Sequence, residues 1–303
     1  MIVTVTPNPA LDVTYTVDAL TPGTSHRVRR VVQRAGGKGV NVASVLTQLG
    51  YAATALGPCG GTTGAELRRD LHARGIPTAL TDVEAPTRRT VTVVEADSTA
   101  TVLNEPGRLS AHEWDEVVAR VRKVLRQPVE VLVASGSLPR GTPEDAYADL
   151  VAEARSAGVP CIVDTSGPPL LAAVAAGPDV VKPNQHELSE VTGTDDPVAG
   201  ARVLQGLGAR TVVVSRGRAG VLVVTPDGAS YAARPREPLQ GNPTGAGDAA
   251  VAALAAGLLE QPWPDLVRTV VGWSSAAVLA PVAGMVIRAA VHDLTVSALG
   301  GEA

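Results

Sequence analysis

From residue 52 onward the chain alternates short apolar runs with helical runs, and this rhythm restricts the fold more than any other feature of the sequence. Strands are expected at 52–57, 76–80, 129–134, 160–164, 179–182 and 211–215. Helices are expected at 64–74, 110–126, 143–157, 185–192 and 196–207, with Ser110-Ala111-His112-Glu113 as a capping box. Such alternation builds βαβ units with right-handed crossovers, so the central sheet should be mostly parallel and covered by helices on both faces. The filling must come from Val, Leu, Ile and Ala, because the chain has no Phe. Residues 1–6 read as the first strand, and 211–233 as successive strands forming an antiparallel edge. Beyond 260 helices are expected over Pro264–Ala280 and Ala290–Ala298.

Four stretches break the rhythm. Val13–Val17 and Thr24–Arg34 are half-polar strands, and 88–95 and 99–103 follow one another with no helix between them. They are too polar for a doubly covered sheet and are assigned to a small accessory sheet spanning roughly 13–34 and 86–104.

At 303 residues, with 45% hydrophobic and 18% charged residues, the chain is an ordinary globular α/β protein. A net charge of −4 without a basic block excludes nucleic acid as a partner. No apolar run approaches the ~20 residues needed to span a bilayer, and no signal peptide is read at the N-terminus. The two cysteines, Cys59 and Cys161, have no metal or disulfide spacing, so a cytoplasmic protein is expected.

The chemistry concentrates in loops next to strand ends. In Gly241-Asn242-Pro243-Thr244-Gly245-Ala246-Gly247-Asp248 the side chains at 245–247 are nearly absent, so backbone N–H groups can close around an anion at the start of the apolar helix that follows. Asp248 at that mouth would repel a phosphate unless it serves to take a proton from an attacking hydroxyl; otherwise it is an ordinary cap. In Gly36-Gly37-Lys38-Gly39-Val40-Asn41 the glycines admit a ligand to the backbone, Lys38 supplies a cation and Asn41 a two-sided amide, without the Walker spacing. Asp12 lies just past an interior strand end, where open α/β sheets bind ligands, although a solvated turn explains it equally. Arg88 is preferred over its neighbour Arg89 for facing a cleft, since adjacent strand residues face opposite ways. Ser137 and Arg140 lie in the small-residue loop after the strand at 129–134, and Arg140 could bind phosphate bidentately. Lys182-Pro183-Asn184-Gln185-His186-Glu187 puts Asn184 and Glu187 on one helix face, as a water-mediated Mg²⁺ site or as a capping box. Ser215, Gly217 and Gly220 form a further small-residue loop. Two glycine-lined anion sites with Lys38, Arg88 and Arg140 leave room for more phosphate than one small ligand carries.

Taken in order, Gly-Gly-Lys-Gly-x-Asn near the start and Gly-Ala-Gly-Asp near the end resemble the two signatures of the PfkB/ribokinase family of carbohydrate kinases. Thr-x-Asn-Pro-Ala-x-Asp, Asn104-Glu105-Pro106-Gly107, Ser-Gly-Ser-Leu-Pro and Lys-Pro-Asn-x-x-Glu resemble its phosphosugar branch. The resemblance covers nearly the whole chain. It implies a single ribokinase-like domain over 1–303, an α/β/α sandwich with a β-sheet lid, and ATP and Mg²⁺ as cofactors. It implies Asp248 as catalytic base and Gly245, Ala246 and Gly247 as anion hole. Lys182, Asn184, Glu187, Ser215, Gly217 and Gly220, with Gly245 and Gly247, would hold the nucleotide, and Asn184 and Glu187 the Mg²⁺ through water. Asp12, Gly37, Lys38 and Asn41 would hold sugar hydroxyls, and Arg88, Ser137 and Arg140 the substrate phosphate. Lids in this branch commonly pair, which implies a homodimer.

The lid departs from the Thr-Arg-x-Asn-x-Lys of enzymes like 1-phosphofructokinase at Thr87-Arg88-Arg89-Thr90-Val91-Thr92, where Thr90 and Thr92 replace the Asn and the Lys and leave Arg89 or Arg140 to help neutralise the phosphate. Asn242-Pro243 looks more like tagatose-6-phosphate kinases, so the reading leans to phosphorylation of tagatose 6-phosphate. Fructose 1-phosphate and fructose 6-phosphate are the alternative acceptors. A sugar-phosphate-binding regulator without catalysis, or a kinase for an unphosphorylated sugar, nucleoside or vitamin, are the competing classes.

Overall fold

The protein is described as a computed structural model covering residues 1–97, 99–237, 239, 241–280, 282–293 and 296–299, with side chains described up to residue 290. Its main sheet has nine strands in the spatial order Val296–Leu299, Ser230–Pro235, Val221–Val224, Thr211–Ser215, Val180–Val181, Cys161–Asp164, Val131–Ser135, Ile2–Val5 and Ala53–Leu56. The six from Thr211–Ser215 to Ala53–Leu56 run parallel, and the remaining three add on antiparallel at one edge. This is the ribokinase-like arrangement expected from the sequence.

The two faces are covered by different helices, and strand residues divide between them with the period of two that a pleated strand imposes. Ile2, Val131, Val133 and Ile162 pack in one apolar cluster with Leu46, Leu254 and Val270, from helices Lys38–Gln48, Ala246–Gly257 and Trp263–Val278. Val3, Leu132, Ala134 and Val163 pack in the other with Trp114, Leu150, Leu170 and Leu204, from helices Ala111–Val124, Ala146–Ser156, Pro168–Ala175 and Pro197–Leu207. Helix Ala246–Gly257 is small and apolar on nearly every side and lies buried against the helices Lys38–Gln48 and Trp263–Val278. That burial fixes the position of its first turn.

A separate four-stranded sheet has the order Arg30–Gly36, Ala10–Thr16, Arg88–Val94, Ala100–Asn104. Its second strand begins at Ala10, so Asp12 lies inside this sheet and not in the turn after the first strand. Residues 24–29 are not strand.

Three other expectations change. The segment 76–80 does not join the main sheet; only Thr78 bridges to Ala55, and the chain then pairs Thr81–Asp82 with Pro58–Cys59. Helix Pro168–Ala175 was not anticipated; Gly167 at φ 62° and a proline at its start make it. The C-terminal helix is limited to Arg288–Asp293, and Val296–Leu299 is a strand paired to Ser230–Pro235. Leu294 and Thr295 of that expected helix lie outside the described residues. Among the described residues no helix is long and apolar enough to cross a membrane.

Candidate active site

Six parallel strands point their C-terminal ends at one edge, and the loops singled out in the sequence meet there. Helix Lys38–Gln48 places Asn41 on its first turn, and helix Ala246–Gly257 places Asp248 on its own. The two turns touch: Asn41 Nδ2 donates to Asp248 Oδ2 over 2.8 Å. Asp164, at the end of strand Cys161–Asp164, lies between two lysines. Lys38 Nζ and Lys182 Nζ each approach its carboxylate to 3.4 Å, and Ser135 Oγ donates to it over 3.0 Å.

Asp248 is 7% exposed and Asp164 1%. Burial pushes the Asp248 carboxyl up from 3.8 to about 7, and the Asp164 charge adds to the push. Lys38, the Asn41 amide and Lys182 oppose it. Asp164 is buried as well, yet its two lysines and the Ser135 hydroxyl hold it below the ordinary carboxylate range. Two buried carboxylates therefore differ in role: Asp164 stays charged and sets the lysines, while Asp248 titrates near neutral pH, as a general base should.

Gly245 precedes helix Ala246–Gly257 with φ 88°, and a Cβ there would lie 2.8 Å from Ala283 Cα. Only glycine suits both constraints. The first-turn N–H groups of Gly247 and Asp248 have no helical acceptor by geometry, and no side chain caps this end. Lys182 Nζ stands 3.7 Å from where a Cβ on Gly247 would be. Free amides, a positive helix end and a buried ammonium thus converge on one point beside Asp248, an arrangement that can hold negative charge.

On the four-stranded sheet, Asp12, Arg34, Arg88 and Thr90 share one face by register. Gly36 lies against Asp12 so closely that a Cβ would sit 1.8 Å from its Oδ2. Burial raises the Asp12 carboxyl to about 6, against the charges of Arg88 and Arg34 and a hydrogen bond from Thr90. Arg89 pairs with Leu11 on the opposite face, so it cannot join Arg88 as a second cation for a ligand over Asp12. Ser137 is exposed at the sheet edge and accepts from Asn8 Nδ2 over 3.2 Å. Arg140 is exposed, and its backbone bridges Arg108 at the foot of the accessory sheet.

On the other side, a cavity of about 590 Å³ is lined by Ser215, Gly217, Gly220, Gly247 and Ala250, among others. Gly37 and Lys38 are not among the residues lining this hollow; they stand at the start of helix Lys38–Gln48. Asn184 and Glu187 form a reciprocal capping box on helix Gln185–Thr192: Glu187 N donates to Asn184 Oδ1 and Asn184 N donates to Glu187 Oε2, each over 2.8 Å. This leaves Glu187 Oε1 outside the box. Its charge still reaches Lys38. Among the described residues no three His, Cys, Asp or Glu converge as a metal cage. A Mg²⁺ would fit here as an ion held through water by Glu187 and Asn184 and directly by ligand phosphate oxygens, as hard, hydrated Mg²⁺ prefers.

Asp164 and Ser135 are the members that the sequence reading did not single out. The signal was present: an acid closes the apolar strand Cys161-Ile162-Val163, the same position that drew attention to Asp12.

The pfkB family carbohydrate kinase model matches residues 7–286. A curated 1-phosphofructokinase of Xanthomonas campestris is 42% identical over 271 residues, covering 85% of this chain and 84% of that protein. The 1-phosphofructokinase of Rhodobacter capsulatus is 38% identical over 260 residues, covering 84% and 82%. Among solved structures, phosphofructokinase-2 from Escherichia coli in complex with potassium superposes with a TM-score of 0.90 at 33% identity, covering 97% of each chain. With the family model matched from residue 7 to 286 and relatives of this identity over most of its length, the chain belongs to the pfkB family of carbohydrate kinases.

Proposed function

We propose that this kinase transfers the γ-phosphoryl group of ATP to the primary hydroxyl of a ketohexose monophosphate, with fructose 1-phosphate as the preferred acceptor and fructose 1,6-bisphosphate as product. The observation that carries this reading is Asp248: a buried carboxyl raised to about 7 beside the open amides of its own helix start. The relatives named 1-phosphofructokinase favour fructose 1-phosphate over the tagatose 6-phosphate suggested by Asn242-Pro243.

The acceptor lies under the four-stranded sheet, which serves as a lid, with its hydroxyls on Asp12, Gly37, Lys38 and Asn41. Arg88, Ser137 and Arg140 take its phosphate. ATP lies along the hollow from Ser215, Gly217 and Gly220 to Gly247, with Lys182 and Asn184 beside its phosphates. Asp248 accepts the proton of the 6-hydroxyl as that oxygen bonds to the γ-phosphorus. The bond to the β–γ bridging oxygen breaks and ADP leaves with the electron pair. Gly245, Ala246 and Gly247 hold the charge on the equatorial oxygens, with Lys38 and Lys182 near by. Glu187 and Asn184 would hold a Mg²⁺ through water, and the ion would supply further neutralisation of the triphosphate. Pairing of lids into a homodimer accords with Val31, Val102 and Leu103, which the lid sheet leaves exposed. A cytoplasmic setting accords with two buried free cysteines.

A panel of fructose 1-phosphate, tagatose 6-phosphate, fructose 6-phosphate and free fructose under identical conditions tests this. The expected order puts fructose 1-phosphate first in kcat/KM by at least tenfold. A preference for either 6-phosphate reassigns the acceptor, and preference for the free sugar removes the phosphate site from the account.

A further inference from the structure

Asn8 is buried in the loop between the first strand of the main sheet and the lid, 6% exposed, and the proposed reaction gives it no part. Its surroundings are specific. Asn8 Nδ2 donates to the Pro106 carbonyl over 3.0 Å and to Ser137 Oγ over 3.2 Å. The Pro106 carbonyl can only accept, so the amide orientation is forced and both N–H bonds are used. The Asn8 backbone carbonyl accepts from Arg88 Nε over 3.3 Å, while Arg88 Nη1 donates to the Glu105 carbonyl over 3.1 Å. Gly107, at φ 70°, packs onto the same amide: a Cβ there would lie 2.2 Å from Asn8 Oδ1. The Asn8 side chain thus ties Ser137 to the loop by which the lid returns to the main domain, while the Asn8 backbone holds Arg88.

We propose that the Asn8 side chain is a positioning residue for the acceptor's phosphate, acting through Ser137 and through the Pro106 loop, whose neighbouring Glu105 carbonyl holds Arg88. The inference rests on the reading above that this acceptor is a sugar phosphate. Its chemistry is directional. Because the Asn8 amide occupies a lone pair of Ser137 Oγ, the exposed serine hydroxyl keeps its proton free to donate outward to a phosphate oxygen. Because the Asn8 backbone carbonyl takes Arg88 Nε and the Glu105 carbonyl, in the loop that the Asn8 amide ties down at Pro106, takes Nη1, the guanidinium plane is fixed and presents its remaining edge to the ligand. A carboxylate at position 8 would reverse the first effect: Ser137 would donate inward, and the new charge would draw Arg88 from the ligand.

The test compares Asn8→Ala, Asn8→Asp and wild type with the preferred sugar phosphate and with ATP. Asn8→Ala should raise KM for the sugar phosphate about tenfold, with KM for ATP within about twofold. Asn8→Asp, nearly the same shape, should be the worse of the two, and Ser137→Ala should add little to either. If Asn8 only supported the fold, both KM values would move together with the melting temperature in each variant; that pattern overturns the inference. Should Asn8→Ala fail to fold, Gly107→Ala replaces it, with the same selective rise in sugar-phosphate KM expected. A wild type that prefers free sugars overturns the sugar-phosphate reading itself, whereas a wild type with the expected acceptor and an unchanged KM in these variants overturns the role of Asn8 alone.

Discussion

Asn41 and Asp248 lie 207 residues apart and meet at 2.8 Å, first helical turn against first helical turn. The contact joins the glycine-rich segment near the start of the chain to the one near its end. It also stabilises the charged form of a carboxylate that burial would otherwise keep protonated.

Replacing Asp248 by Asn keeps the shape and the Asn41 contact but removes the proton acceptor. Turnover should fall roughly 10²–10⁴-fold, the range of general-base contributions. ATP affinity, measured by calorimetry, should change little. Near-normal turnover would remove Asp248 as base.

The same variant carries a stability signature. The folded-state value of Asp248, about 7, lies above its ordinary 3.8, so the folded protein binds the proton more tightly than the unfolded chain. Wild-type stability from this group is full below about pH 4 and is lost as pH rises through about 7. Asp248→Asn does not titrate. Its melting temperature should exceed that of wild type at pH 8, and the difference should vanish near pH 4.

The acidic limb of kcat/KM should follow Asp248 and move in opposite directions in two variants. Asn41→Ala removes a hydrogen bond to the charged form, so the limb should shift to higher pH. Asp164→Asn removes a like charge and leaves two lysines unopposed, so the limb should shift to lower pH. A limb that ignores both substitutions belongs to another group.

Asp164→Asn should also destabilise the fold, because it leaves Lys182, 4% exposed, without its partner. Losing one member of a buried pair costs about 3–5 kcal/mol. The low end is expected here, since Lys38 is half-exposed and can turn to water. Chemical denaturation at pH 7 measures it, and Asp164→Asn combined with Lys182→Met should recover part of the loss.

Gly36→Ala would drive a methyl group into Asp12, 1.8 Å from its Oδ2. The strand position is ordinary otherwise, so the effect should be local. KM for the sugar phosphate should rise tenfold or more while KM for ATP holds.

The layers of this fold follow from local signals. Alternating Val-rich and Ala/Leu-rich runs, the Ser110–Glu113 capping box and the paired polar strands each appear where physical chemistry places them. The misses have causes. Val296–Leu299 forms a strand because Ser230–Pro235 offers an edge to pair with, which no local pattern contains. Thr78 stays outside the sheet because one bridge to Ala55 is all the chain makes before it turns away. The loops at 36–41 and 245–248 were legible because their glycines are costly anywhere else. Asp164 was not, because one acid at the end of a strand carries no spacing to betray two lysines brought from elsewhere in the chain. For the same reason Asn8, a polar residue between two prolines, reads as a turn.

The order of the parallel strands separates the ends of the chain by task. The segments proposed for the acceptor, from Asp12 to Arg140, all precede residue 141, and those proposed for the nucleotide all follow residue 181. Heredity can therefore act on them in blocks: a recombination crossing between 141 and 181 would exchange one whole half-site between related genes and leave the other intact. The meeting of Asn41 with Asp248, of Lys38 with Asp164, and of Ser44 and Gln48 with the Gly284 carbonyl would have to survive the exchange. New acceptors could then be tried against an unchanged phosphoryl donor.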